Sequence, residues 1–450
     1  MPKLPLKTVA FIALSGGVLL CGSTSAWSMD LLQAYEAARL QDASILASRA
    51  NAAAGRERLP QARSQLLPSI SFNLQKTNNQ LSSTTPNFAG VEQTTNTRYP
   101  SSNQTLTIRQ PLYRSYLTAQ LRQARAQVQD TEAALLQDEQ NLSTRVGSAY
   151  FEAMLTYDQL ALVLAQRTTT TTQLDAARKA FAGGAGTRTD VDEAQARLDQ
   201  IMALEIEARQ NVDYTRQQLE MLVNQPVGKL ATLNVDKLEL LNPEPNRIED
   251  WARRAELNSP QLRSLQAQLE AAREEVAKAS AGHTPTLDAI AQWSRSQSEN
   301  VTNTTNRYTN TSFGLQLNVP IFQGGYVNAQ VRQALALQER ASQALEAGRR
   351  DLNMRVYKEF RGVTESVPKI KALEQAQKSA DQLVVSNSKS FQGGSRTVVD
   401  VLNAEQQRTV VQRDLAQTRY VYLISKLRLL ALVGSADLDS VVAINNTLKY

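Results

Sequence analysis

The chain carries few groups able to do covalent chemistry. His283 is the only histidine and Cys21 the only cysteine among 450 residues, which excludes a multi-histidine metal centre and leaves any nucleophile, histidine and acid triad resting on one residue. The glycine pairs Gly183-Gly184 and Gly393-Gly394 lack the lysine and the serine or threonine of a phosphate-binding loop. They read instead as turns, because glycine permits left-handed dihedrals. What remains is electrostatic. Asp190 and Asp400 each lie a few residues after such a turn, and Asp400 shares a helix face with Asn403 three residues on. Repeated by symmetry around an axis, one carboxylate per chain becomes a cation-attracting ring. The alternative is that both aspartates only cap the helices they begin.

The elements that place these residues are written twice. Residues 120–223 recur as 330–433 at a constant offset of 210: Gln120-Leu121-Arg122-Gln123-Ala124 against Gln330-Val331-Arg332-Gln333-Ala334, and Phe181-Ala182-Gly183-Gly184 against Phe391-Gln392-Gly393-Gly394. A repeat of this length holds a whole supersecondary unit, so two equivalent halves are expected. No proline occurs between Pro111 and Pro226. The first copy therefore predicts a long helical hairpin turning at 182–186, with a first arm over 117–181 of roughly 95 Å at about 1.5 Å per residue. On the returning arm Val191, Ala194, Leu198, Ile201, Glu205, Ala208, Val212, Thr215, Leu219 and Leu222 alternate three and four apart, the spacing of a coiled-coil seam. The second copy interposes Arg408, Thr418, Tyr422 and Ser425 on its seam, which predicts a partly wet or mixed interface. Pro368, aligned with Asp158, interrupts an otherwise proline-free arm and is read as a kink or a hinge.

Two short alternating segments precede each hairpin: Ile70, Phe72 and Leu74 then Leu106 and Ile108 before the first, Leu287, Ala289, Ala291 and Trp293 then Phe313, Leu315, Leu317 and Val319 before the second. Such alternation gives a strand one greasy and one polar face. Ile290 falls on the wrong face. Residues 76–103 and 294–311, rich in Asn, Thr, Ser and Gln, read as long solvent loops above a transmembrane barrel. Four strands cannot close a barrel, so closure demands several chains.

At the amino terminus, Lys3 and Lys7, an apolar stretch from Val9 to Leu20 and small residues to Ala26 predict a signal peptide over 1–28, cleaved after Ala26 or Ser28. Leu19-Leu20 precede Cys21 where a lipid-anchored cysteine follows small residues, so Cys21 is expected to leave with the signal. Removing Lys3 and Lys7 lowers the formal charge from +6 to +4. The remaining basic residues are dispersed among acids, as on a solvated surface rather than a nucleic-acid site. The expected organisation is a first repeat over 29–225, a linker over 226–247, a second repeat over 248–433 and a tail over 434–450, the linker and tail packing around the outside of the helices.

The order helix, strand pair, helical hairpin, repeated once, resembles the TolC family of outer-membrane channel proteins. The most specific stretch is Phe391-Gln392-Gly393-Gly394-Ser395-Arg396-Thr397-Val398-Val399-Asp400-Val401-Leu402-Asn403-Ala404, followed by Tyr420-Val421-Tyr422-Leu423-Ile424 and Leu432-Val433-Gly434. The resemblance implies a homotrimer in which each chain gives four strands to a twelve-stranded barrel, continued by an α-helical tunnel through the periplasm. It implies a passive, cofactor-free conduit in the outer membrane that works with a periplasmic adaptor and an inner-membrane pump, ABC-type or proton-driven, and exports proteins or drugs. It also implies a periplasmic gate: Asp400 as an acidic ring with Arg396 and Phe391 beside it, and Thr189 and Asp190 on the first hairpin holding it shut. Phe391 stands where the family's best-known member has a tyrosine, so it cannot donate a hydroxyl hydrogen bond to Asp190, and Asn403 stands where a second acidic ring would be, leaving three carboxylates rather than six. The rival from another class is a periplasmic coiled-coil adaptor, which has one hairpin between two halves of a small β domain.

Overall fold

The computed structural model describes residues 28–298 and 306–449. Residues 1–27 of the expected signal peptide, Cys21 among them, lie outside the described residues. The chain runs α1 (Leu31–Gln41), α2 (Ala43–Arg56), α3 (Arg58–Ser64), β1 (Ser69–Pro86), β2 (Glu92–Tyr113), α4 (Ser115–Ala182) and α5 (Arg188–Val223). It continues through β3 (Thr232–Leu233), α6 (Ile248–Asn258), α7 (Pro260–Ser280), β4 (Thr286–Gln297), β5 (Arg307–Asn318), α8 (Tyr326–Gln392), α9 (Val398–Leu432), α10 (Leu438–Asn445) and β6 (Leu448–Lys449). The unit of helices, strand pair and hairpin thus occurs twice. The first arms, α4 at 68 residues and α8 at 67, each extend about 100 Å.

All four long strands form one antiparallel sheet in the order β1-β2-β4-β5, so the two halves meet at β2 and β4. Its register sorts side chains onto two faces. Ile70 lies opposite Ile108, Ile108 opposite Ala291 and Ala291 opposite Phe313, while Phe72, Leu106 and Trp293 form the next row. On the other face Ser71, Thr107, Gln292 and Ser312 share a row. Phe313 and Leu315 are 82% and 69% exposed, a cost in water that a lipid environment removes. Ile290 sits on the polar face between Arg109 and Gly314.

The strands are longer than the alternation suggested. β1 and β2 pair without interruption from Ser69–Arg109 to Pro86–Glu92, and β4 pairs with β5 out to Gln297–Arg307. Most of 76–103 is therefore a two-stranded ribbon rather than a loop, and its turn occupies only 87–91. Alternation detects a half-greasy strand, whereas this ribbon is polar on both faces and held by backbone pairing, with cross-strand bonds such as Asn79 Nδ2 to Ser101 Oγ at 2.8 Å.

The main apolar core lies where the hairpins, α1, α6 and α10 meet. Tyr150, Phe151, Leu352, Val356, Phe360, Tyr422 and Leu423 form its centre. Val227, Ala231, Val441, Ile444 and Leu448 join the same core, so the linker and tail complete it rather than merely surround the helices. Tyr150 donates its hydroxyl to the Met29 carbonyl at 2.9 Å, and Tyr422 to the Leu241 carbonyl at 3.0 Å. Of the partly wet or mixed seam expected in the second copy, the mixed form is what occurs at Thr418, Tyr422 and Ser425, which are buried. Each supplies its own hydrogen bond or small volume: Thr418 donates to the Asp414 carbonyl at 2.7 Å, and Ser425 packs against Gly362, where a β-carbon would stand 2.6 Å from its oxygen.

Candidate gate at the hairpin tips

Both tips are built the same way. α4 ends with Gly184 at φ +76° and α8 with Gly394 at φ +75°. Ala185 N–H reaches back to the Ala180 carbonyl at 3.0 Å and Ser395 N–H to the Ser390 carbonyl at 2.9 Å, the backbone pattern that closes a helix on a left-handed residue. Only the second glycine of each pair needs that conformation, since Gly183 and Gly393 have φ of −84° and −81°.

The returning helices open on reciprocal caps. Thr187 Oγ1 accepts from Asp190 N–H, and the Asp190 carboxylate accepts from Thr187 N–H at 3.0 Å and from its hydroxyl at 2.6 Å. Thr397 and Asp400 repeat this with both distances at 3.0 Å. Each closes orphan donors of the first turn. Arg396 Nη1 lies 3.4 Å from the second oxygen of Asp400. The Thr397 backbone and hydroxyl donors, with Arg396 beyond them, hold the Asp400 carboxyl below its ordinary range and so keep it charged. Asp400 thus caps its helix and still presents charge, its side chain being 34% exposed.

Thr189 is exposed on the first turn of α5 and Asn403 on the second turn of α9. Phe391 is half-buried against a small apolar cluster of Leu174 on α4, Ala194 on α5, and Val398 and Leu402 on α9. This cluster clasps the second hairpin to the first close to the tips. Its members come from distant segments, so spacing alone did not reveal it. Two further residues had no sequence signal. Asn387 on α8 donates to the Asp400 backbone carbonyl at 3.1 Å. Glu405, one turn above Asp400, is pushed above the usual carboxylate range by burial, against the pull of Arg408 at 2.5 Å.

Pro368 lies on the exposed side of α8, which runs through it unbroken. Proline takes away the donor that the Thr364 carbonyl would otherwise receive. Thr364 and Ser366 return their hydroxyls to the Phe360 and Gly362 carbonyls at 3.1 and 2.5 Å, bonds that also favour bending. His283 bonds Asn328 Oδ1 at 3.1 Å.

The model of a family described as outer membrane efflux protein matches residues 34–225 and 251–435, one match per half. The chain belongs to this family. It is 30% identical over 447 residues to outer membrane protein TolC of Escherichia coli, covering 96% of this chain and 88% of that one. It is 32% identical over 437 residues to the alkaline protease secretion protein AprF of Pseudomonas aeruginosa, covering 96% and 90%. Among solved structures, the CmeC outer membrane channel of Campylobacter jejuni superposes with a TM-score of 0.77 at 14% identity, covering 100% of this chain and 98% of that one. VceC of Vibrio cholerae does so at 0.75 and 19%, covering 90% and 97%. The protein is therefore a non-enzymatic efflux or type I secretion channel of the TolC family, seated in the outer membrane of a Gram-negative bacterium and extending into the periplasm. No described helix is long and apolar enough to cross a membrane. The adaptor reading is set aside.

Proposed function

We propose that three copies assemble into a passive exit duct whose periplasmic end is closed at rest and opens on docking to an adaptor and an inner-membrane pump. The observation that carries the assembly is the sheet: β1 and β5 are both edge strands, one face is apolar, and four strands leave the ladder open. Three chains supply twelve antiparallel strands, an allowed barrel size. At the tips, Asp400 forms one ring of three carboxylates, Asn403 adds no charge to it, and Arg396 steadies it. Thr189 and Asp190 line the neighbouring tips, and the clasp around Leu402 holds the two hairpins of a chain together until docking separates them. Pro368 gives the second hairpin its bending point. The charge of Asp400 attracts cations without any energy source in the channel itself.

Secreted protein is the favoured cargo. Two relatives at about this similarity are named for protease secretion, AprF and the proteases secretion protein PrtF of Dickeya chrysanthemi, the latter 30% identical over 437 residues.

Single-channel conductance of the purified protein in a planar bilayer, at several salt concentrations, tests the duct and its gate. A small cation-selective conductance that loses selectivity in Asp400→Ala supports both. No conductance from folded protein refutes the duct, and selectivity indifferent to Asp400 moves the gate elsewhere.

A further inference from the structure

Among the described strand residues, the polar face of the sheet carries two charged side chains, Arg109 on β2 and Asp288 on β4. Their neighbours on that face are Ser, Thr, Asn and Gln, with Ile290 and Gly314 between. Because the opposite face meets lipid, this one faces the lumen. Asp288 is 3% exposed, and two guanidinium groups take up its carboxylate. Arg109 Nε donates to it at 3.1 Å, Arg114 Nε donates at 2.7 Å, and Arg114 Nη2 donates to the same oxygen as Arg109. Two cations against one anion leave one net positive charge per chain. That charge is accessible at Arg109, whose side chain remains 43% exposed, whereas the Arg114 side chain is only 20% exposed. Gln316 Oε1 accepts from Arg109 Nη2 at 3.0 Å and fixes the fork from β5, on the far side of β4.

We infer that Arg109 lines the barrel as an anion-attracting ring, a second selectivity element opposite in sign to Asp400 and set where the sheet meets the long helices. The inference rests on the trimeric duct proposed above, in which one exposed guanidinium per chain becomes three around the lumen. The design is specific. Asp288 is the anchor that orients Arg109, and Arg114 saturates Asp288, so the carboxylate fixes Arg109 without neutralising the pair. The groups it receives are small anions and the phosphate or carboxylate groups of passing cargo. The wall elsewhere is neutral and hydrogen-bonding, so this ring sets the sign of the field in the barrel.

The test uses full-length channels carrying Asp400→Ala, so that the acidic ring no longer sets selectivity, with and without Arg109→Gln, in potassium chloride gradients across a planar bilayer. Three charges at roughly 10 Å from the axis, screened over about 30 Å at 0.01 M and about 10 Å at 0.1 M, change anion enrichment about fourfold and about twofold respectively. The chloride-to-potassium permeability ratio should fall by at least these factors in Arg109→Gln and keep its value in Arg109→Lys. An unchanged ratio in Arg109→Gln at native unit conductance overturns the ring alone. An equal fall in Arg109→Lys overturns it as well, by assigning the effect to the geometry of the cluster. Absence of any conductance from the Asp400→Ala parent overturns the trimeric duct, and the ring with it.

Discussion

In the gate proposed above, the clasp at the tips makes the closed state a quantity that one side chain can shift. Leu402, with Val398 beside it on α9, is buried against Leu174 and Ala194 of the first hairpin, contacts that must part if the second hairpin swings from the first. Leu402→Ala removes the largest group that α9 contributes to the cluster. In a full core such a change costs about 3–5 kcal/mol, and in a small cluster at the solvent edge about 2 kcal/mol. Spent only in the closed state, about 2 kcal/mol shifts the closed-to-open ratio about thirtyfold per chain, and about 10⁴-fold if three chains open together. The main core lies elsewhere: Leu423 is 21 residues further along α9, about 30 Å away, so the thermal midpoint should be nearly native. Open probability of single channels is the readout, with Leu402→Met, which keeps the volume, as the near-native control. A Leu402→Ala channel of native unit conductance and native open probability would refute the clasp.

Asn403→Asp should double the carboxylates at the entrance and raise cation selectivity above native, and a channel indifferent to it would place Asn403 off the axis. Pro368→Ala restores a donor to the Thr364 carbonyl and stiffens α8; unchanged conductance and export in that variant removes the hinge. Asp158 accepts the Tyr420 hydroxyl at 2.6 Å, and its carboxyl is raised by burial, with Tyr420 pulling the other way. The folded chain then holds this proton more tightly than the unfolded chain, so the contribution to stability falls as pH rises from about 3.9 through the raised folded value. Asp158→Asn keeps an acceptor for Tyr420 and removes the ionisation. Its melting midpoint by circular dichroism should exceed the native one at pH 7 and match it below about pH 3, and a lower midpoint at pH 7 would contradict the sign.

The offset of 210 made the doubled architecture legible, and the absence of proline made the hairpins so. The seam positions Ala194, Ile201, Glu205, Val212, Thr215 and Leu219 are indeed buried, because the three-and-four spacing is a property of the helix itself. Less legible were contacts set by pairing between distant segments. Arg109 and Asp288 stand 179 residues apart, and only the β2–β4 register brings them together. The β1–β2 ribbon leaves no alternating signal in the sequence because its residues have no greasy face. Glu205 looked like a flaw in an apolar seam, yet Arg167 at 2.8 Å and Arg209 at 2.7 Å make it an ion-paired tie between α4 and α5.

The two halves share their turns and caps, so the difference between them must lie in what the shared scaffold displays. At the offset of 210, Val398 and Leu402 align with Arg188 and Asp192. In the second hairpin this face of the returning helix is buried, Val398 at 5% and Leu402 at 6% exposure. In the first, the same face carries an exposed ion pair, Arg188 Nε to Asp192 Oδ1 at 3.0 Å, and an exposed pair of this kind contributes little to stability. For the proposed opening, the asymmetry gives a direction. Within a chain the second hairpin is held by apolar contacts that water would have to replace, whereas the equivalent face of the first is already solvated. Exchanging the pairs tests the assignment: Arg188→Val with Asp192→Leu should leave the tips closed while adding an apolar patch, and Val398→Arg with Leu402→Asp should open them. Equal open probability in the two double variants would mean that the scaffold, not the displayed face, sets the gate.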